Sequence, residues 1–159
     1  MKKTLIFGNS GSGKSTLAKK LQHSSNLSHL DLDTLAWKPT NPPERKAIKE
    51  SESEILDFIR SNDSWVIEGC YSDLIEIAAP FSNEMIFMNL PVELCIRNAR
   101  NRPWEPHKYE SKEAQDKNLE MLIDWISQYP VRIDTFSEDS HKKLYKEYKG
   151  KKREITSNE

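Results

Sequence analysis

Eight consecutive residues, Gly8-Asn9-Ser10-Gly11-Ser12-Gly13-Lys14-Ser15, constrain this chain more than any other feature. They match the pattern G-x-x-x-x-G-K-[ST] at every fixed position. The octet follows the short apolar run Lys3-Thr4-Leu5-Ile6-Phe7 and precedes a stretch in which Leu17, Ala18 and Leu21 share one helical face. Strand, glycine-rich loop and helix is the setting in which such an octet cradles phosphate. Glycines let the backbone curl so that successive N–H groups point inward at phosphate oxygens. The helix N-terminus adds its dipole and its free amides to the same site. Lys14 then supplies positive charge to the β- and γ-phosphates, and the Ser15 hydroxyl ligates Mg²⁺. A nucleoside triphosphate with Mg²⁺ is the expected ligand pair, with Gly8, Ser10, Gly11, Ser12, Gly13, Lys14, Ser15 and Thr16 as binding residues.

Composition sharpens this reading. The chain has 159 residues and five glycines, and three of the five lie inside the octet. An average soluble protein has roughly 7% glycine, so backbone freedom is concentrated at one place. The length fits a single domain, residues 1–159, since domains most often run about 100–150 residues. With 24 basic against 25 acidic residues, the net charge of −1 lacks the strongly basic signature of a dedicated nucleic-acid binder. No stretch approaches the roughly 18–20 apolar residues of a membrane span. The run Leu5-Ile6-Phe7 stops at Gly8, short of a signal-peptide core, so a cytoplasmic protein is expected. Cys70 and Cys95 form no CxxC pair and no metal-ligand cluster with histidine.

The rest of the chain alternates apolar runs and helical patterns. Leu27 to Asp31 reads as a second strand, Trp65-Val66-Ile67 as a third, Met85 to Met88 as a fourth and Lys152 to Thr156 as a last, weak one. Between them, Asn41-Pro42-Pro43-Glu44 is expected to open a helix that continues through Ile48, Ile55 and Ile59 to Arg60. Pro91 starts another helix, and Ser111 caps a long one carrying Leu119, Leu122, Ile123 and Ile126. A final helix spans about Ser137 to Tyr148, with Gly150 as its stop. Short, mostly unalternating strands between helices predict an α/β fold: a five-stranded parallel sheet with helices on both faces. Two prolines keep the stretch Arg102-Pro103-Trp104-Glu105-Pro106-His107 irregular, and residues 101–111 are expected to form a short lid.

Absences narrow the class. A GTPase needs DxxG and NKxD, and neither occurs, which leaves the small kinases among P-loop proteins. Gly8 to Thr16, then His29-Leu30-Asp31-Leu32-Asp33-Thr34-Leu35-Ala36-Trp37-Lys38-Pro39, resembles the DNA topology modulation proteins, which are adenylate-kinase-like P-loop proteins. The resemblance continues in Trp65 to Ser72, where Glu68-Gly69-Cys70 stands for the more usual Asp-Gly-Asn. It continues again in Leu90 to Arg97, Arg100 and the Trp-containing helix Leu119 to Trp125. It implies a nucleoside-monophosphate-kinase-like fold and, from related kinases, transfer of the γ-phosphoryl of ATP to a small acceptor.

Three further features fit a kinase. Asp33 lies where shikimate-type kinases place an acid that orients the acceptor hydroxyl or binds the metal's waters; a turn aspartate is the plainer role. Glu68 takes the position of the second P-loop acid and is, with Ser15, a candidate metal ligand. Arg97 and Arg100, three apart on one helix face, are candidates to stabilise charge on the transferred phosphoryl group. Lys14, Asp33, Arg97 and Arg100 thus make up the expected catalytic set. Trp37 and Tyr71 suit either an acceptor pocket or the core, and His107 and Lys108 either phosphate contact or plain surface. An ATP-switched, nucleic-acid-associated protein is the competing reading. It draws on Lys142, Lys143, Lys146, Lys149, Lys151, Lys152 and Arg153, which face only Glu147 in their stretch. The overall charge does not favour it, and oligomeric state is not legible in the residues.

Overall fold

The computed structural model describes residues 1–158. The octet sits where the pattern places it, between strand β1 (Lys3–Gly8) and helix α1 (Lys14–Ser25). Four more strands follow: β2 (Ser28–Asp31), β3 (Trp65–Gly69), β4 (Glu84–Met88) and β5 (Lys151–Ile155). All are parallel, in the order β2-β3-β1-β4-β5. Parallel neighbours need crossovers, and the helices that supply them cover both faces of the sheet.

The strands' alternation divides the core into two layers. Leu5 and Phe7 of β1, Trp65 and Ile67 of β3, and Met85 and Phe87 of β4 point to one face. There they meet Ile55 of α2 (Ile48–Ser61), Leu74 and Ile75 of α3 (Ser72–Ala78), and Leu144 of α6 (Glu138–Glu147). Ile6, Val66, Ile86 and Met88 point the other way. They pack on Ala18 of α1, Cys95 and Ala99 of α4 (Val92–Arg100), and Ile126 of α5 (Lys112–Ser127). Burial on both faces is why these strands read as continuous apolar runs. No helix among the described residues is long and apolar enough to cross a membrane.

Two expectations are corrected and one helix is added. Helix α2 begins at Ile48, not at Asn41. Residues 36–46 instead double back as an antiparallel loop: Lys38 N–H donates to Glu44 O at 2.7 Å and Lys46 N–H to Ala36 O at 2.9 Å. A cis Asn41–Pro42 bond lies within it. Helix α3, which the apolar pattern did not announce, rises from the turn after β3, where Leu74, Ile75 and Ala78 are buried. The last helix ends on Tyr148, whose extended backbone stops it before Gly150. The Ser111 cap matches expectation, its Oγ accepting from Ala114 N–H, and the structure adds a like cap at Ser137, whose Oγ accepts from Ser140 N–H.

Candidate active site

The carboxyl ends of β1, β2 and β3 lie side by side, and so do the segments that leave them. In this register Ile6 pairs with Glu68, and Asp31 pairs with Glu68 from the other side. Ligands of open parallel sheets bind at this rim, and the chemical groups of the chain gather there.

The glycine-rich loop is shaped by positive backbone angles, φ +79° at Gly11 and +92° at Gly13. A side chain at Gly11 would also run into the Cys95 carbonyl oxygen of α4, so the loop and that helix fit only without it. Helix α1 starts with no side-chain cap and no acidic residue in its first turn, which leaves its leading amides to a ligand. Thr16 stands exposed on that first turn. Lys14 Nζ donates to the Asn9 carbonyl at 2.8 Å, folded over its own loop. Ser12 Oγ is buried without a partner. An uncapped amide cluster, a lysine and an unpaired hydroxyl around a cradle that a side chain would fill suit phosphate oxygens.

Ser15 and Glu68 come together. The Ser15 hydroxyl donates to Glu68 Oε2 at 2.8 Å, and His29 Nε2 lies 3.1 Å from the same oxygen. Glu68 is 2% exposed, so its carboxylate is held at the base of the loop by partners on α1 and β2. No group of three or more His, Cys, Asp or Glu side chains forms a cation cage among the described residues. A hydroxyl and a carboxylate this close are nonetheless hard oxygen donors of the kind Mg²⁺ takes beside nucleotide phosphates.

Asp33 stands beside this group, on the 3-10 turn Leu32–Thr34 that Asp31 caps by accepting from Asp33 N–H at 2.9 Å. The Tyr71 hydroxyl donates to Asp33 Oδ1, and Trp37 Nε1 donates to that hydroxyl at 2.8 Å. Lys108 Nζ donates to Asp33 Oδ2 at 3.1 Å. The setting beneath residues 101–111 disfavours charge on Asp33. The Lys108 ammonium and the hydrogen bonds from Tyr71 and Lys108 outweigh this and hold its pKa below the ordinary carboxylate range. Asp31 shifts the other way, up to about 6, through burial first and then the charges of Glu68 and Asp33. Burial alone would lower the Lys108 pKa; Asp33, Asp31 and Glu105 raise it above the usual lysine value.

Behind Tyr71, the Arg45 guanidinium lies 5.1 Å from the Tyr71 ring centroid and 5.6 Å from that of Phe136, and pairs with Asp73 at 3.2 Å. Arg132 stacks on Trp125 at 3.7 Å and is held by Asp134. Buried His141 sits at 2.7 Å from the Tyr129 hydroxyl and 2.8 Å from the Cys70 carbonyl, tying α6 to the turn that carries Tyr71. No motif or spacing in the sequence marks these two arginines, and only the loop at 36–46 and the turn before α6 bring them here.

The two α4 arginines lie apart from this cluster. Arg97 is exposed and has no ion-pair partner among the described residues. Arg100 faces α5 and pairs with Glu120 at 3.7 Å. Between them Asn98 Nδ2 donates to Gly11 O at 2.8 Å, so α4 itself is docked on the loop. The expected basic run divides as well. Lys142 pairs with Glu138, Lys151 with Glu84, and Lys152 donates to the Tyr145 carbonyl at 2.7 Å.

Comparison with known proteins follows this architecture. The sequence profile described as AAA domain matches residues 5–118. No curated protein matches the chain. Among solved structures, a gluconokinase from Sinorhizobium meliloti 1021 superposes with a TM-score of 0.57 at 14% identity, over 98% of this chain and 83% of its own. A sugar kinase from Janibacter sp. HTCC2649 gives 0.56 at 12% identity, over 98% and 85%. Shikimate kinase from Acinetobacter baumannii, in complex with shikimate, gives 0.52 at 16% identity, over 100% and 86%. At such identities the likeness is one of fold.

Proposed function

The chain belongs to the AAA domain family, and on that premise we propose that it transfers the γ-phosphoryl group of ATP to a small hydroxyl-bearing acceptor. The observation that carries this reading is the meeting of two half-sites at one rim. The Ser15–Glu68 pair lies at 2.8 Å beneath the phosphate loop, and Asp33 is held beside it by Tyr71 and Lys108. The loop amides and Lys14 bind the phosphates; Ser15 and Glu68 hold Mg²⁺, which when bound supplies charge neutralisation at the transferring group. The Asp33 carboxylate accepts a hydrogen bond from the acceptor hydroxyl and takes its proton as that oxygen attacks the γ-phosphorus and the bond to the β,γ-bridging oxygen breaks, releasing ADP. Asp31, raised to about 6, stands next to it. Arg97, unpaired on α4 beside the loop, is free to swing toward transferred charge, whereas Arg100 must first leave Glu120. The fold shared with gluconokinase and shikimate kinase supports a small-molecule acceptor. In this reading the whole chain works as one domain in the cytoplasm, where the free thiols of Cys70 and Cys95 stay reduced.

Purified protein with MgATP and a panel of nucleosides, nucleotides, sugar acids and other polyols, read as ADP release, tests this proposal. Acceptor-dependent turnover is expected, falling by about 10²–10³ in Lys14→Ala. A panel without any response overturns it.

A second reading keeps the resemblance to the DNA topology modulation proteins: an ATP-switched protein that contacts nucleic acid. The feature that favours it is the run of exposed basic residues Lys143 and Lys146 on α6, Lys149 in the turn after it and Arg153 on the edge strand β5. Duplex binding that weakens steeply with salt, and that changes between ATP and ADP, distinguishes it from the first.

A further inference from the structure

Residues 101–111 form a turn folded on itself and mounted on α5. Trp104 Nε1 donates to the Tyr109 carbonyl at 3.0 Å, and the Lys108 and Tyr109 amides both donate to the Glu105 carbonyl at 3.0 Å. Gln115 of α5 clamps the turn, accepting from Glu105 N–H at 2.8 Å and donating to Pro103 O at 3.1 Å. Asn118, also on α5, donates to the Tyr109 hydroxyl at 2.8 Å. This mounting aims Lys108 at the turn after β2. There Nζ lies 3.1 Å from Asp33 Oδ2 and 3.8 Å from both Asp31 Oδ2 and Glu105 Oε2.

Asp33 is therefore gripped from two sides. Its Oδ1 is held by Tyr71, a residue only 1% exposed and itself fixed by Trp37; its Oδ2 is held by a lysine of the lid. One grip belongs to the wall of the fold and cannot move without the core. The other belongs to a surface turn with few core contacts, the kind of element that opens locally. A carboxylate held at one oxygen still rotates about its last torsion; a second bond from the opposite side removes that freedom. The arginines of α4 do not do this, because Arg97 has no partner and Arg100 faces α5.

We infer that Lys108 is a positioning residue for the transfer proposed above. With the lid down it fixes Asp33 against Tyr71 in the orientation that meets the acceptor hydroxyl, and with the lid raised it lets Asp33 turn away. Its role in transfer rests on the kinase reading; its role as the lid's latch rests on the geometry alone. Gln115 and Asn118 hold the turn on α5, and the contact it makes with the acids is ionic and reversible. An acceptor enters while Lys108 is away and is covered when it returns, which keeps water from the phosphoryl group.

Two measurements test this on the full chain, with Lys108→Met and Lys108→Arg. Amide deuterium exchange, taken without acceptor, is expected to rise about tenfold in residues 101–111 and 32–35 of Lys108→Met, the loss of one charge-assisted hydrogen bond. The sheet and α5 should keep wild-type rates, and Lys108→Arg should stay near wild type. Unchanged exchange in both segments overturns the latch. With an acceptor from the panel, Lys108→Met is expected to lose about tenfold in kcat with the KM for ATP unchanged, and Lys108→Arg to recover most of it. Wild-type turnover matched by Lys108→Met overturns the positioning role and leaves the kinase reading standing. No turnover in the wild type overturns the kinase reading and Lys108's part in transfer with it.

Discussion

The two halves of the site are built in opposite ways. The phosphate half is contiguous: eight residues, one strand end and one helix start, with Glu68 reaching in from the neighbouring strand. The half we propose for the acceptor is assembled. Asp33 comes from the turn after β2, Tyr71 from the turn after β3, Trp37 and Arg45 from the loop before α2, and Lys108 from the turn at 101–111. A contiguous site depends on backbone shape, so its weak points are glycines. An assembled site depends on side chains meeting across the fold, so its weak points are single hydrogen bonds and the packing behind them. Damage to the first should show as lost nucleotide affinity, and damage to the second as lost transfer with nucleotide affinity intact.

The sharpest test of that division is Asp33→Asn. It should reduce acceptor-dependent turnover by about 10²–10⁴ while calorimetric MgATP affinity stays within about twofold. A matching loss of MgATP affinity would erase the division. On the other side, Gly11→Val meets both a positive φ and the Cys95 carbonyl. Left-handed backbone and overpacking together cost about 2–5 kcal/mol, so MgATP affinity should fall by roughly 30-fold or more. Binding at wild-type strength would show that the loop has other shapes open to it.

The wall behind the acceptor half predicts a pH effect. Burial lowers the His141 pKa to about 4 from its ordinary 6.5, so between those values the unfolded chain binds more protons than the folded one. Stability from neutral His141 is therefore complete above about pH 6.5 and is lost as the pH falls toward 4, by on the order of 3 kcal/mol. Asp31 acts in the opposite sense. Its pKa is raised to about 6, so its contribution is largest below about pH 4 and is lost as the pH rises through 6. Comparing thermal melts of the wild type and His141→Phe isolates the histidine: the wild-type advantage should shrink steadily from pH 7 to pH 4. A constant gap would mean that His141 does not titrate in this range. The smallest effect is expected from Tyr71→Phe, which removes one grip on Asp33 and the acceptor of the Trp37 N–H. About tenfold in kcat should go, with the fold and MgATP affinity retained.

Much of this was legible in the residues, for reasons that differ by element. The loop, the cap at Ser111 and the strands Trp65–Gly69 and Glu84–Met88 follow from local chemistry: fixed spacing, a short polar cap, and apolar runs buried on both faces. The prolines ahead of helix α2 suit a first helical turn, yet residues 36–46 bind each other across an antiparallel loop. Helix α3 has no signature in the sequence because seven residues give too little periodicity to stand out. Lys108 resembled any surface lysine, since nothing in a Pro-rich segment says which carboxylates lie beneath it.

The sequence by itself determined the phosphate cradle, its place between β1 and α1, and the parallel α/β class. Each is written in neighbouring residues, where backbone freedom and apolar periodicity act over a few positions. Tertiary structure alone decided that Glu68 faces Ser15, that Asp33 is shared between Tyr71 and Lys108, and that Arg100 turns to Glu120 instead. Those pairings join residues from 20 to 75 positions apart. Strand order and helix docking choose them, through burial that no short stretch of chain encodes.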